Sequence, residues 1–123
     1  PDMTLRVGGS ESNVAIGLAK LGFSVNWIGC VGADALGDLV VDTIRGQGVK
    51  ASVRRVADRP TGLMLREQRT AEIMTVGYYR AGSAGAALSP DDVDVHQIGN
   101  ARVLHVTGIT LALSPSCRDA IHV

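Results

Sequence analysis

Apolar residues recur at helical spacing through Val14-Ala15-Ile16-Gly17-Leu18-Ala19-Lys20-Leu21, which predicts a first helix over about 11–21 with Gly22 as its stop. Val25-Asn26-Trp27-Ile28-Gly29-Cys30-Val31-Gly32 is almost continuously apolar and reads as a strand buried on both faces. Asp34 then stands where a carboxylate caps a second helix, about 35–47. The apolar face of that helix uses Leu36, Leu39, Val40, Thr43 and Ile44, and Gly46-Gln47-Gly48 ends it. Helix, strand and helix joined by short connections imply an α/β fold with a parallel sheet of βα units.

The middle of the chain breaks this rhythm. Residues 53–57, 62–68 and 73–80 alternate like strands, with Asp58-Arg59-Pro60 as a turn before the last two and Thr70-Ala71-Glu72 as the hairpin tip between them. The pattern divides the chain into an α/β part, 1–52 with 81–123, and a small β insertion, 53–80. Such an insertion covers something, either a bound ligand as a lid or a second subunit as a dimer clasp. Leu88-Ser89-Pro90-Asp91-Asp92 then opens a short helix through about His96. Ala101-Arg102-Val103-Leu104-His105-Val106 reads as a strand ending at Thr107-Gly108-Ile109, where open α/β sheets turn their loops toward ligands. Ser114-Pro115 supplies the cap and first residue of a final helix.

Composition narrows the class. A hydrophobic content of 46% supports a packed core. Twelve basic residues balance twelve acidic ones, so no net field favours nucleic acid or an anionic membrane. With aromatics at 3%, a stacking platform for single strands is also excluded. No apolar run approaches the roughly 20 residues of a membrane span, and no signal peptide is visible. Cys30 and Cys117 lie far apart and read as free thiols, which points to a reducing, cytoplasmic compartment. The start at Pro1-Asp2-Met3 and a last helix without a glycine stop read as a piece of a longer protein.

Familiar catalytic motifs are missing: there is no HExxH, nucleophile elbow, cysteine–histidine cluster or Walker loop. The chemistry that remains starts at Gly8-Gly9-Ser10-Glu11-Ser12-Asn13, immediately before the first helix. Gly9 lets a ligand approach the backbone, the helix start offers free N–H groups, and Asn13 can both donate and accept. The same residues could equally form a plain turn with Asn13 as a local cap. Arg80 presents the planar fork that suits a carboxylate, or it is a solvated arginine at a strand end. Tyr78 and Tyr79 point to opposite faces of an extended segment, so only one can readily face a ligand in that region. Asp34 reads as a helix cap rather than a catalyst. His96, His105 and His122 lack metal-ligand spacing, with His105 expected as a packed core imidazole. Arg54, Arg55 and Arg59 are expected on a solvated lid surface.

Gly8-Gly9-x-x-x-Asn13, Ala15, Leu21-Gly22 and Gly29-x-Val31-Gly32-x-Asp34-x-x-Gly37 together resemble the N-terminal signature of the ribokinase-like (PfkB) carbohydrate kinases. Pro60-Thr61-Gly62-Leu63, Tyr78-Tyr79-Arg80-Ala81-Gly82-Ser83-Ala84 and Leu104 through Ser114 are similar to the 2-keto-3-deoxygluconate kinase branch. The resemblance touches most of the chain. It implies a ribokinase-like parallel-sheet sandwich with a small β lid, a cytoplasmic homo-oligomer formed through that lid, and ATP- and Mg²⁺-dependent phosphorylation of a sugar acid. It further implies substrate contacts from Gly9, Ser10, Glu11, Ser12 and Asn13, from Tyr78 and Arg80 with Tyr79 sharing the lid, and from Ile109 as wall. At Met64 this branch often has tyrosine, so one polar contact is absent. The family's catalytic base lies in an Asp-Thr-x-Gly-Ala-Gly-Asp-type segment, and none occurs in these residues. Catalytic residues and the nucleotide site are therefore expected outside this chain. A fructokinase-like hexose kinase and a non-catalytic sugar-binding or dimerising module are the alternatives.

Overall fold

The computed structural model describes residues 2–123. In chain order it forms α1 (Ser10–Lys20), β1 (Asn26–Gly32), α2 (Ala35–Gly46), β2 (Lys50–Val56), β3 (Leu63–Gln68) and β4 (Met74–Tyr79). Two 3₁₀ turns follow at Ala84–Ala87 and Pro90–Asp92, then α3 (Val95–Gly99), α4 (Gly108–Leu113) and α5 (Pro115–Ile121). The α/β class expected from the sequence is the one observed.

Local rules account for the first half. α1 carries Glu11 in its first turn and Lys20 in its last, each matched to the helix dipole, and the chain leaves it through Gly22 at φ +91°. α2 starts at Asp34, whose carboxylate accepts the Gly37 N–H at 2.7 Å. It crosses from β1 to β2, which pair in parallel from Asn26↔Lys50 to Gly32↔Val56. Ala15, Ile44 and Val49 form one core cluster between the helices and this sheet, joined by Trp27, Val40 and Ala51. Cys30, Val56 and Ala84 form a second one at the far end of β1.

Four expectations are corrected. β1 is fully buried only from Gly29 onward. The strand expected at 53–57 begins at Lys50 and belongs to the parallel sheet with β1, not to the hairpin; Arg54 and Arg55 lie on its opposite faces, paired with Asp92 and with Asp38 of α2, and not on a lid. The helix expected through His96 divides, because Val93 is extended and Asp94 caps a separate α3 through the His96 and Gln97 N–H groups. Residues 101–106 form no strand: a strand exists by bonding to a neighbour, and among the described residues none runs beside them. His105 is consequently exposed and not in a core.

β3 and β4 form an antiparallel hairpin with register Leu63↔Tyr79 through Gln68↔Met74. The expected tip is present. There the Thr70 hydroxyl accepts the N–H groups of Glu72 and Ile73, closing the turn. The final helix also starts as expected, with Ser114 Oγ accepting the Cys117 N–H at 3.1 Å.

Candidate functional site

The hairpin is bolted to the α/β part at one corner. Asp34, already capping α2, also accepts the Thr61 N–H at 3.0 Å and the Thr61 hydroxyl at 2.7 Å. That hydroxyl in turn accepts the Gly32 N–H at 2.9 Å. The Thr61 N–H, the Thr61 hydroxyl and the Gly37 N–H, in that order, hold the Asp34 carboxyl below the usual carboxylate range. Glycine is required at both neighbours: a Cβ on Gly32 would sit 2.7 Å from Thr61 N, and one on Gly37 would sit 2.2 Å from Gly32 O.

A second bolt ties the sheet to the segment that follows the hairpin. Arg54 Nε donates to Asp92 Oδ1 at 2.6 Å, and its terminal nitrogen donates to Ala87 O at 2.8 Å. Arg54 thus ties β2 to the 87–92 segment, correcting its assignment to a solvated lid surface. Burial would raise the Asp92 carboxyl, but Arg54 and the Ser89 N–H outweigh it and hold the group below its ordinary value. Cys30 Sγ lies 3.4 Å from the same carboxylate, and burial plus that negative charge push the thiol up to about 12. Both Cys30 and Cys117 are free and buried, as expected. A small opening of about 210 Å³ beside this ion pair is lined by Ser52, Val53, Arg54 and Asp92.

The larger cavity, about 530 Å³, opens between the base of the hairpin and α4. Tyr78, Arg80, Ala81, Gly108, Ile109, Ala112 and Leu113 line it. The Arg80 guanidinium carbon stands 4.3 Å over the Tyr78 ring, a cation–π contact that holds the cation against the ring. Among the described residues no carboxylate lies within salt-bridge distance of Arg80. The result is an oriented, unneutralised cation in a largely apolar wall, which can receive an anionic group.

The structure brings together three of the residues singled out in the sequence: Tyr78, Arg80 and Ile109. Met64 pairs directly with Tyr78 across the hairpin and so shares its face. Tyr79 lies on the opposite face, its ring against the space over Gly77. Gly9, Ser10, Ser12 and Asn13 do not line the cavity. Gly9 is the N-cap of α1, Asn13 sits exposed in the first turn rather than capping, and Ser12 is buried with its hydroxyl donating to Gly9 O at 3.2 Å. Glu11 reaches the cavity wall indirectly, through hydrogen bonds from Thr107 and Thr110. Sequence reasoning missed those threonines because 107–109 reads as a strand end. The Thr-x-x-Thr spacing at a helix start is the signal that would have found them.

The pattern of the pfkB family carbohydrate kinases matches residues 1–123. The chain belongs to this family. It is 39% identical over 115 residues to the 2-dehydro-3-deoxygluconokinase of Bacillus subtilis, covering 92% of this chain and 36% of that protein. It is 38% identical over 121 residues to the 5-dehydro-2-deoxygluconokinase of Shouchella clausii, covering 96% of this chain and 37% of that protein. Among solved structures, a PfkB protein from Polaromonas superposes with a TM-score of 0.88 at 34% identity, over 95% of this chain and 40% of its own. The chain therefore spans a little over a third of the length of these PfkB relatives, and it carries their ribokinase-like α/β architecture.

Proposed function

We propose that the full-length protein is an ATP-dependent kinase that phosphorylates 2-keto-3-deoxygluconate or a closely similar sugar acid, and that these residues supply the acceptor-sugar side and the lid. Family membership and the names of the relatives support the reaction class. The observation that carries the substrate class is Arg80, stacked on Tyr78 in the cavity with no carboxylate partner. A sugar acid brings the carboxylate that this fork lacks, and a plain hexose does not. Ile109 and Tyr78 then wall the sugar while Arg80 sets its orientation. Gly9, Ser10, Ser12 and Asn13 lie outside the cavity lining, and the α1 side reaches it only through the Glu11 hydrogen bonds to Thr107 and Thr110.

Among the described residues no group of three or more His, Cys, Asp or Glu side chains is placed to hold a metal. These residues alone do not assemble a Mg²⁺ site. ATP and Mg²⁺ belong to the proposed reaction of the whole protein. No helix among the described residues is long and apolar enough to cross a membrane.

The 5-dehydro-2-deoxygluconokinase relative favours a second reading, phosphorylation of the isomeric keto acid. Arg80 would serve either acid. The test is an ADP-release assay on the full-length protein with 2-keto-3-deoxygluconate, 5-keto-2-deoxygluconate and fructose. One of the acids should be preferred, and Arg80→Ala should raise KM for that acid about 10- to 100-fold, the range of a lost charge-assisted contact. Fructose preference, or equal loss for acid and fructose, overturns the sugar-acid reading.

We also propose that the hairpin face carrying Leu63, Leu65 and Tyr79, turned away from the Tyr78 face, meets the same hairpin of a second subunit.

A further inference from the structure

We infer that Glu11 is a positioning residue that locks the glycine-rich loop to the cavity wall and does not itself touch the sugar; this rests on the sugar-kinase reading above. Its carboxylate is already committed. Oε1 accepts the Thr107 hydroxyl at 2.5 Å and the Thr110 hydroxyl at 2.6 Å, and Oε2 accepts the Ser10 hydroxyl at 3.0 Å. Glu11 is half-buried, and its partners lie 96 and 99 residues away in sequence. These are contacts between distant parts of the chain, not decoration of one turn.

Thr107 shows the direction of the design. It is the N-cap residue of α4, where a threonine hydroxyl ordinarily accepts a helix N–H, yet it makes no such cap bond. Its hydroxyl is given to Glu11 instead. Thr110, three residues on, falls on the same side of the helix and reaches the same oxygen. α4 in turn supplies Gly108, Ile109, Ala112 and Leu113 to the cavity. One carboxylate thereby joins the loop before α1 to the wall that holds Ile109, so the two sides of the acceptor site keep a fixed separation. This replaces the sequence expectation of Glu11 as a substrate contact. Burial would raise the Glu11 carboxyl, but the Thr107 and Thr110 hydroxyls outweigh it and hold the group below the usual carboxylate range.

The test uses the full-length protein and compares Glu11→Ala, Thr107→Val/Thr110→Val, their combination, and Glu11→Gln. Glu11→Ala and the double threonine variant should each raise KM for the sugar acid about 10-fold, with KM for ATP held within about twofold. Combining them should add nothing further, because they break the same lock. Glu11→Gln, whose carbonyl still accepts both hydroxyls, should stay within about threefold of wild type. Amide hydrogen exchange should quicken at both 9–13 and 107–111 in Glu11→Ala, a readout independent of catalysis. If Glu11→Ala does not fold, Thr107→Val alone should give the same signs at smaller size. A further KM rise from Glu11→Ala after both hydroxyls are gone overturns the inference, as does unchanged exchange at 107–111. Absence of any sugar phosphorylation by wild type would sink the kinase reading while leaving the exchange comparison to decide the lock.

Discussion

Gly37 shows how a single missing side chain holds the corner that carries the hairpin. A Cβ there would meet the Gly32 carbonyl oxygen at 2.2 Å and Asp34 Oδ1 at 3.2 Å, and the first of these is backbone that cannot swing away. Gly37→Ala should therefore force the β1–α2 turn apart and destabilise the protein by about 1–3 kcal/mol, the usual range for overpacking. Gly17 is the natural contrast. It lies mid-helix in α1 with nothing within 4 Å of its Cβ position, so Gly17→Ala should stabilise by roughly 0.5–1 kcal/mol. Urea midpoints of the two variants, at unchanged slope, check both signs. A neutral or stabilising Gly37→Ala would show that the corner is looser than its geometry requires.

At the scale of elements, the two-stranded hairpin is the least self-sufficient part of the fold. Its cross-strand pairs leave Leu63, Leu65 and Tyr79 exposed on one face and Met64, Val76 and Tyr78 exposed on the other. A lone hairpin is marginal in water, so both faces need cover. The Tyr78 face borders the cavity, and the Leu65 face is the one proposed above to meet a second subunit. Leu65→Asp should shift the full-length protein from dimer to monomer in sedimentation velocity; a wild-type monomer would reject the clasp. Alternation and turn chemistry made β3, β4 and the Thr70 tip legible in the sequence, and the Asp34 cap and Gly22 stop made α1 and α2 legible. What was not legible depends on partners distant in the chain. Residues 101–106 have strand composition but no neighbour to bond, and β2 pairs with β1 through a crossover that local pattern does not encode. The site divides in the same way: family resemblance brought out Tyr78, Arg80 and Ile109, whereas the Glu11–Thr107–Thr110 lock spans the chain and leaves only a faint local trace.

For the molecule as a whole, the decisive quantity is how much of a phosphoryl-transfer site these residues can assemble. The chain spans 36% of its Bacillus subtilis relative, and its core is two small clusters beside exposed Leu5, Val103, Leu104 and Val106. Transfer to a sugar hydroxyl needs the acceptor, a base beside it and the phosphate donor held in line together. The cavity is the place proposed above for the acceptor, with Arg80 proposed to orient it. No Asp-Thr-x-Gly-Ala-Gly-Asp-type segment occurs in the sequence to supply the base. Holding the sugar alone leaves attack on ATP a bimolecular event in water, without the rate gain that comes from fixing both reactants. The 123-residue chain by itself should accordingly release no ADP above background with ATP and 2-keto-3-deoxygluconate, under conditions where the full-length protein turns over. Clear turnover by the short chain would mean that a base and a nucleotide site exist within residues 1–123, and the division of the active site proposed here would fall.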